Sequence, residues 1–202
     1  MIIYDCKQGE PEWFKARMGV ITSSDFSKII TPKTMKLSSS HDMIANKVVA
    51  QRITGEDETD FTGNKWTERG HELEPEAASM YELINEVETT TIGFATRDDG
   101  LVGCSPDRFV GDQGGLEIKC PAAHTHLASF FANSIADDHK CQVQGCLLIT
   151  GFKWWDVMSY HPNFPPSIIR VERDEEFIDA LDKALALTLV KIEEKLEKLK
   201  GN

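Results

Sequence analysis

A predicted β-hairpin near the middle of the chain constrains the fold more than any other feature. Its second strand, Leu116 to Lys119, alternates apolar and charged residues, so that Glu117 and Lys119 share one face. The glycine-rich segment before it, residues 111–115, has the composition of a tight turn. We therefore expect the chain to fold back and to bring Asp107 beside Glu117.

Two carboxylates and an ammonium on one sheet face predict a metal site. At ~4 Å and an effective dielectric of about 20, two like charges repel by about 4 kcal/mol, so such a pair requires a cation. Ligands that are all oxygen atoms favour Mg²⁺ or Mn²⁺, which would keep several waters. Lys119 would orient or deprotonate one of these waters for attack on phosphorus. The alternative is a surface hairpin with an ordinary cross-strand ion pair.

The first helices predict a small anion site. Pro11 to Met18 has a helical pattern that contains Arg17, and Thr22 is a candidate N-cap for a second helix over residues 23–30. The hydroxyl of Ser24 and the amides at that helix start would bind an anion together with Arg17. In the alternative interpretation the hydroxyls only cap the helix, and Arg17 only pairs with a neighbouring acid.

The remaining pattern predicts an α/β fold. Further helices are expected near residues 41–53, 69–83, 124–133, 138–148 and 174–199, and strands near residues 87–96, 101–105, 109–110, 116–120, 153–160 and 167–172. The first four strands are expected to form a meander. The last helix carries an apolar stripe that we expect to cover the sheet, with a subunit contact as the second choice.

Glu74 is a candidate third carboxylate. It immediately precedes Pro75, which a helix tolerates in its first turn, so we expect Glu74 near the start of the helix at 69–83. From there it would point at the site of Asp107. The alternative is one of several solvated acids in this part of the chain.

Length and charge bound the class of protein. The 202 residues suit one domain, 1–202, and no apolar run is long enough to span a membrane. The net charge is -11, yet residues 1–53 carry eight Lys and Arg against five Asp and Glu. A basic N-terminal segment followed by an acidic remainder favours local contacts with phosphate over the uniformly basic surface of a protein that coats DNA. Five cysteines without a framework spacing, and a start without a secretory signal, favour a cytoplasmic protein with reduced thiols.

In their order and spacing, several motifs resemble the phage lambda exonuclease family, the YqaJ-type viral recombinases of the PD-(D/E)xK nuclease superfamily. The motifs span nearly the whole chain: Gln8-Gly9, Trp13, Arg17-x-Gly19-Val20-Ile21-Thr22-x-Ser24, Gly70-x-x-x-Glu74, Cys104-Ser105-Pro106-Asp107, Gly115-Leu116-Glu117-Ile118-Lys119-Cys120-Pro121, Gln142-Val143-Gln144 and Val171-Glu172-Arg173-Asp174-Glu175. The resemblance implies a restriction-endonuclease-like core, in which helices flank a central mixed β-sheet.

The resemblance also implies the roles of individual residues. Asp107, Glu117 and the backbone carbonyl of Ile118 would hold one or two Mg²⁺ ions, Lys119 would position or activate the attacking water, and Glu74 and Gln142 would complete the catalytic site. A pocket for the 5′ phosphate and the adjoining DNA would consist of Arg17, Ser24, Ser105, Lys33 and Trp66. Lys33 stands in for a second phosphate-binding arginine, and Trp66 adjoins Thr67, where the family has an apolar strand-separating residue.

The activity that the resemblance implies is 5′→3′ digestion of one strand of linear duplex DNA to mononucleotides. The remaining 3′ single strand would serve annealing-type recombination of a phage or prophage in the host bacterial cytoplasm. A ring-shaped homotrimer around the DNA and a partner protein that anneals single strands are also implied. The alternatives are a structure-specific or restriction-type endonuclease with the same core, and a non-catalytic module that binds DNA ends.

Overall fold

Five strands form the mixed sheet that carries the candidate site. The computed structural model describes residues 1–57 and 65–201, without the side chains of residues 65–67. The strands are β1 (Ile2–Tyr4), β2 (Ile21–Thr22), β3 (Ile30–Thr31), β4 (Lys36–Leu37), β5 (Thr89–Thr91), β6 (Phe94–Thr96), β7 (Val102–Cys104), β8 (Arg108–Val110), β9 (Gly114–Lys119), β10 (Trp154–Ser159) and β11 (Ser167–Glu172). The five-stranded sheet has the order β11-β10-β9-β8-β5, in which only β9 and β10 are parallel.

Helices flank this sheet, which confirms the predicted α/β fold. They are α1 (Pro11–Arg17), α2 (His41–Thr54), α3 (Lys65–Asn85), α4 (Ala123–Ala132), α5 (Asp137–Thr150) and α6 (Glu175–Lys200). The chain passes from β9 through α4 and α5 into β10, the kind of helical crossover that two parallel strands require. No helix in the described ranges is long and apolar enough to cross a membrane.

The predicted meander is divided between two sheets. The segment predicted as one strand over residues 87–96 is broken into β5 and β6, and β6 joins a four-stranded sheet of order β1-β6-β7-β2. The break falls at Gly93, where an added Cβ atom would lie 1.9 Å from the backbone oxygen of Cys6. Contact with a distant segment, rather than local propensity, thus ends the first strand.

The predicted second helix is a 3₁₀ helix, Ser23–Lys28, and it is followed by β3, which pairs with β4. Thr22 precedes it in an extended conformation and makes no capping hydrogen bond. The ring of Phe26 packs directly on Gly145 of α5. A Cβ atom added at Gly145 would lie only 2.1 Å from that ring. This close packing against α5 holds the segment as a 3₁₀ helix, so that a regular α-helix does not form here.

Two further expectations about helices are wrong. Helix α3 runs through Pro75, so Glu74 lies in the middle of a 21-residue helix and not near its start. Helix α6 buries its apolar stripe mainly against α2 and α5, with β3 and β4 beside them, and not across the sheet. The side chain of Asp174 caps α6 by accepting a 3.1 Å hydrogen bond from the amide of Phe177.

Candidate active site

The β8–β9 hairpin places Asp107 against the strand that carries Glu117. The Oδ2 atom of Asp107 accepts a hydrogen bond of 2.6 Å from the backbone amide of Ile118. The preceding carbonyl, that of Pro106, accepts a 2.8 Å hydrogen bond from the side-chain amide of Gln8. Strand β9 therefore holds the carboxylate of Asp107, and Gln8 holds the backbone of the residue before it.

Glu117 is the most deeply buried acid of the site, with 3% of its surface exposed. Its Oε1 atom accepts hydrogen bonds from Nζ of Lys119 at 2.5 Å and from Nε2 of Gln142, on α5, at 2.8 Å. Its Oε2 atom is buried and has no hydrogen-bond partner among the described residues. A buried carboxylate oxygen without a donor is unfavourable, so this atom has a free bonding position for a cation.

Helix α3 brings Glu74 to the same region, where it is held by an arginine. The Oε1 atom of Glu74 accepts a 2.7 Å hydrogen bond from Nη1 of Arg108, and the same nitrogen donates to the backbone oxygen of Asp107 at 2.7 Å. Glu74 is therefore close to Asp107, but it is already paired with Arg108. Local sequence patterns did not indicate this pairing, because the partners are 34 residues apart.

The charges of the site change one another's proton affinity. Burial raises the pKa of Asp107 well above its usual value, and the neighbouring Glu117 carboxylate raises it further. Burial opposes the charge of Lys119, yet Glu117 and Asp107 outweigh it and raise the pKa of Lys119 above its ordinary value. Lys119 is therefore an ammonium group at neutral pH, a hydrogen-bond donor rather than a base.

The donor set fits a hard divalent cation. Among the described residues no group of three or more His, Cys, Asp or Glu side chains is arranged as a metal site. Two carboxylates, Asp107 and Glu117, are nevertheless in place, and one of their oxygens is buried without a partner. Mg²⁺ binds proteins through one or two carboxylates and keeps several waters, so two side chains suffice.

A second cluster joins Arg17 to the segment just before Asp107. Nη1 of Arg17 donates a 2.7 Å hydrogen bond to the hydroxyl of Ser105, and the indole nitrogen of Trp13 donates to the same hydroxyl at 2.9 Å. The guanidinium carbon of Arg17 lies 4.2 Å from the Trp13 ring centroid, a cation–π contact. Burial lowers the pKa of Arg17, although not enough to discharge an arginine at neutral pH.

Of the other residues predicted to bind phosphate, some lie beside Arg17 and others do not. The hydroxyl oxygens of Thr22 and Ser24 are 3.1 Å apart, and Thr22 lines a small cavity with Arg17 and Lys47. Lys33 is not part of that lining; its side chain is exposed, and Nζ lies 3.8 Å from Asp137. The side chain of Trp66 lies outside the described part of the chain.

Two cationic or titratable residues near the site were missed from the sequence. Lys47 lines the Arg17 cavity and donates to the buried Asp25 at 3.0 Å; its position on a basic segment was the only signal. His139 adjoins Lys119, and burial together with the Lys119 charge lowers its pKa. His139 and Lys119 border a mostly apolar cavity of about 590 Å³ beneath α4 and beside β10 and β11.

The sequence of the chain matches the model of a known protein family. The model of the YqaJ-like viral recombinase domain matches residues 12–153, which include Asp107, Glu117, Lys119 and Arg17. The chain belongs to this family. The family match also covers α3 with Glu74, so the proposed site residues all lie inside it. No curated protein sequence matches the chain.

Solved structures of exonucleases have the same fold as this YqaJ-like chain. The alkaline exonuclease LHK-Exo of Laribacter hongkongensis, free and in complex with dAMP, is 31% identical over 95% of this chain and 96% of its own, with a TM-score of 0.85. A phage-related exonuclease of Haemophilus somnus 129PT matches 89% of this chain and 96% of its own at 16% identity, with a TM-score of 0.69. The second likeness concerns the fold alone.

We predict that Asp107 lowers the stability of the metal-free protein as the pH rises. Because its folded-state pKa is above the unfolded-state value, the folded protein holds the proton more tightly, and stability falls as the pH rises through the raised pKa. Asp107→Asn cannot lose a proton and should melt above wild type at pH 8, with the difference shrinking towards pH 4. Thermal unfolding in EDTA measures this.

The matched control is Asp112→Asn, an exposed acid in the hairpin turn, which should follow the wild-type profile. Parallel pH profiles for wild type and Asp107→Asn would show that the Asp107 carboxyl is not penalised in the fold.

Proposed function

We propose that this protein is a Mg²⁺-dependent 5′→3′ exonuclease that digests one strand of linear duplex DNA to mononucleotides. The observation that carries the proposal is the convergence of Asp107, Glu117 and Lys119 on one sheet face, next to the Arg17–Ser105 cluster. The 31% identity with LHK-Exo, an alkaline exonuclease, supports an exonuclease activity for this chain.

Asp107, Glu117 and the backbone carbonyl of Ile118 would hold the ion, which we propose to be Mg²⁺, with Mn²⁺ as a substitute. When bound, the ion stabilises negative charge on the phosphate and lowers the pKa of a coordinated water. Glu74 completes the acidic cluster from α3 in our proposal, and Arg108 sets its position through their ion pair. Gln142 holds Glu117 from α5 and so orients the carboxylate.

Lys119 acts as a hydrogen-bond donor in this proposal. Its raised pKa keeps it protonated, so it positions the attacking water or stabilises charge on the phosphate, rather than removing a proton. Its present partner is Glu117 at 2.5 Å. A cation on Glu117 would compete for that carboxylate and would release part of the ammonium's bonding capacity towards substrate.

The Arg17 cluster would bind the 5′-terminal phosphate. Ser105 and Asp107 are two residues apart, which limits their separation to about 7 Å along the backbone. A terminal phosphate held at Ser105 therefore places the cleaved linkage about one nucleotide into the strand, which gives mononucleotide products and a 5′→3′ direction. Ser24 and Lys33 would extend the phosphate contacts, and Trp66 would lie near the point where the strands separate.

The product would find room beside the metal site. The cavity of about 590 Å³ that borders Lys119 and His139 has the size of a small-molecule pocket. LHK-Exo has been crystallised with dAMP, a deoxyribonucleoside monophosphate of the kind that the proposed reaction releases.

We propose that the enzyme serves homologous recombination of phage or prophage DNA, in which complementary single strands are annealed. The undigested 3′ strand would pass to a partner protein that anneals single strands, and a homotrimeric ring would keep the enzyme on its DNA. The YqaJ-like family is named for viral recombinases, which supports this role. All five cysteines are free thiols, which suits a reducing compartment, so we place the enzyme in the bacterial cytoplasm.

Digestion of a linear duplex labelled separately at its 5′ and 3′ ends tests the activity and its direction. With Mg²⁺ we expect the 5′ label to appear as mononucleotide at once, while the 3′ label stays on a long strand. Lys119→Ala should lose cleavage by a factor of 10² or more, on the order of the effect of removing one charge-stabilising donor, while retaining DNA binding.

Covalently closed circular duplex is the control substrate, and EDTA is the control for the ion. Nicking or linearisation of the circle would replace the exonuclease proposal with an endonuclease of the same core. Full activity of a correctly folded Lys119→Ala would remove the role of its ammonium.

We predict that Arg17→Ala slows digestion selectively at 5′-phosphorylated ends. The loss of one charge-assisted contact to a dianionic phosphate should cost roughly tenfold in rate on such ends and little on 5′-hydroxyl ends. Lys15→Ala, an exposed cation on the same helix, is the matched control and should leave both rates unchanged. Equal slowing on both kinds of end would remove Arg17 from the phosphate pocket.

A further inference from the structure

Two nitrogen atoms of the Arg69 guanidinium group, on α3, lack a binding partner in the part of the protein that the structure describes. Its Nε and Nη2 atoms are buried and have no hydrogen-bond partner among the described side chains and backbone. Leu73, one helical turn later on the same face, packs in the cluster that contains Cys120 and Tyr160. Arg69 therefore faces the end of β9, just beyond Lys119. Buried charged donors without partners are costly, so an anionic ligand is the natural complement.

A continuous row of rings begins beside this arginine. The ring of His161 lies 5.0 Å from that of Phe164, and Phe164 stacks at 5.9 Å on the buried His126. From His126 the row continues through Phe130 at 6.4 Å to Phe131 at 5.6 Å. Burial, and then the nearby charge of Arg69, lower the pKa of His161, in keeping with a position next to Arg69.

The far end of the row is open to solvent. Phe131 is 79% exposed and Phe130 is 36% exposed, and both lie at the end of α4, the helix that follows the catalytic strand. An exposed pair of phenylalanines is unusual on a soluble surface and points to a ligand with flat, apolar faces. The bases of single-stranded DNA have such faces, whereas in a duplex they are stacked on one another.

We propose that Arg69 and the aromatic row, defined as His161, Phe164, His126, Phe130 and Phe131, bind single-stranded DNA that leaves the metal site. Arg69 contacts a backbone phosphate, and the exposed rings stack on successive bases. This inference rests on the proposed exonuclease function, because that reaction converts a duplex into one unpaired strand. The chemistry is that of sequence-independent single-strand binding: a cation for the backbone and rings for the bases.

Fluorescence anisotropy with a labelled oligo(dT), recorded in EDTA so that nothing is cleaved, tests the proposal. Loss of one stacking ring in Phe131→Ala should weaken binding roughly tenfold, and Phe131→Trp should restore it. Arg69→Ala should lower the slope of log affinity against log salt by about 0.7, the value for one phosphate contact on a single strand. Phe131→Ala should leave that slope unchanged.

The matched controls lie elsewhere on the surface. Leu187→Ala removes an exposed apolar side chain from α6, and Lys153→Ala removes an exposed cation before β10; neither should change the affinity or the slope. Unchanged oligo(dT) binding in Phe131→Ala or in Arg69→Ala would overturn the proposal. A changed elution volume of Phe131→Ala with unchanged binding would also overturn it, and would assign the row to contact between copies of the chain.

The same preparations separate this inference from the proposed function. Digestion of linear duplex by wild type in Mg²⁺ reports on the nuclease alone, and oligo(dT) binding in EDTA reports on the row alone. Digestion without any effect of the two variants on binding would reject the row and keep the nuclease. Binding that depends on the row, without digestion, would reject the nuclease.

Discussion

The antiparallel pairing of β8 with β9 is the constraint on which the candidate site depends. Its register sets Arg108 opposite Leu116, and a slip of one residue would turn Glu117 and Lys119 to the opposite face of the sheet. On the other side of β9, two glycines at the start of the strand allow its parallel pairing with β10, in which Gly114 lies opposite Trp154 and Gly115 opposite Trp155. Added Cβ atoms at Gly114 and Gly115 would lie 2.2 Å and 2.5 Å from the rings of Trp154 and Trp155, so only glycine allows β10 to pack there. Gly114 and Gly115 have no reactive side chains, yet their close packing helps to hold the strand that carries Glu117 and Lys119 in place.

The site is electrostatically incomplete without a ligand. Within the described residues, Glu117 is buried with one unpartnered oxygen, and Arg69 on α3 has two unpartnered nitrogens. Asp107 is held beside Glu117 with a raised pKa. Each of these groups costs stability in the isolated chain, and each is complementary to a component of the proposed reaction: a cation for the acids and a phosphate for the arginine. The strain therefore lies where substrate and ion would relieve it.

Local patterns predicted the parts of the fold that local interactions determine. The hairpin, the helices around α5 and the two long strands β10 and β11 follow from alternation, turn residues and helical periodicity, and the structure confirms them. Errors arose where distant contacts decide. The backbone of Cys6 contacts Gly93, where the predicted strand is interrupted, and the packing of Phe26 on α5 accompanies the 3₁₀ helix. Helix α6 packs mainly on α2 and α5 and not on the sheet. The Glu74–Arg108 pair was invisible for the same reason, since its partners meet only after β8 and α3 are in place.

We propose above all that Asp107 and Glu117 together bind a hard divalent ion on which cleavage depends. A crystal soaked in Mn²⁺ and measured at the manganese absorption edge tests it most directly. We expect an anomalous peak between the side chains of Asp107 and Glu117 in wild type and its loss in Glu117→Gln, which keeps the size of the side chain but removes the charge. Absence of a peak at this position in wild type, in crystals where Mn²⁺ supports cleavage, would show that these two carboxylates do not hold the ion.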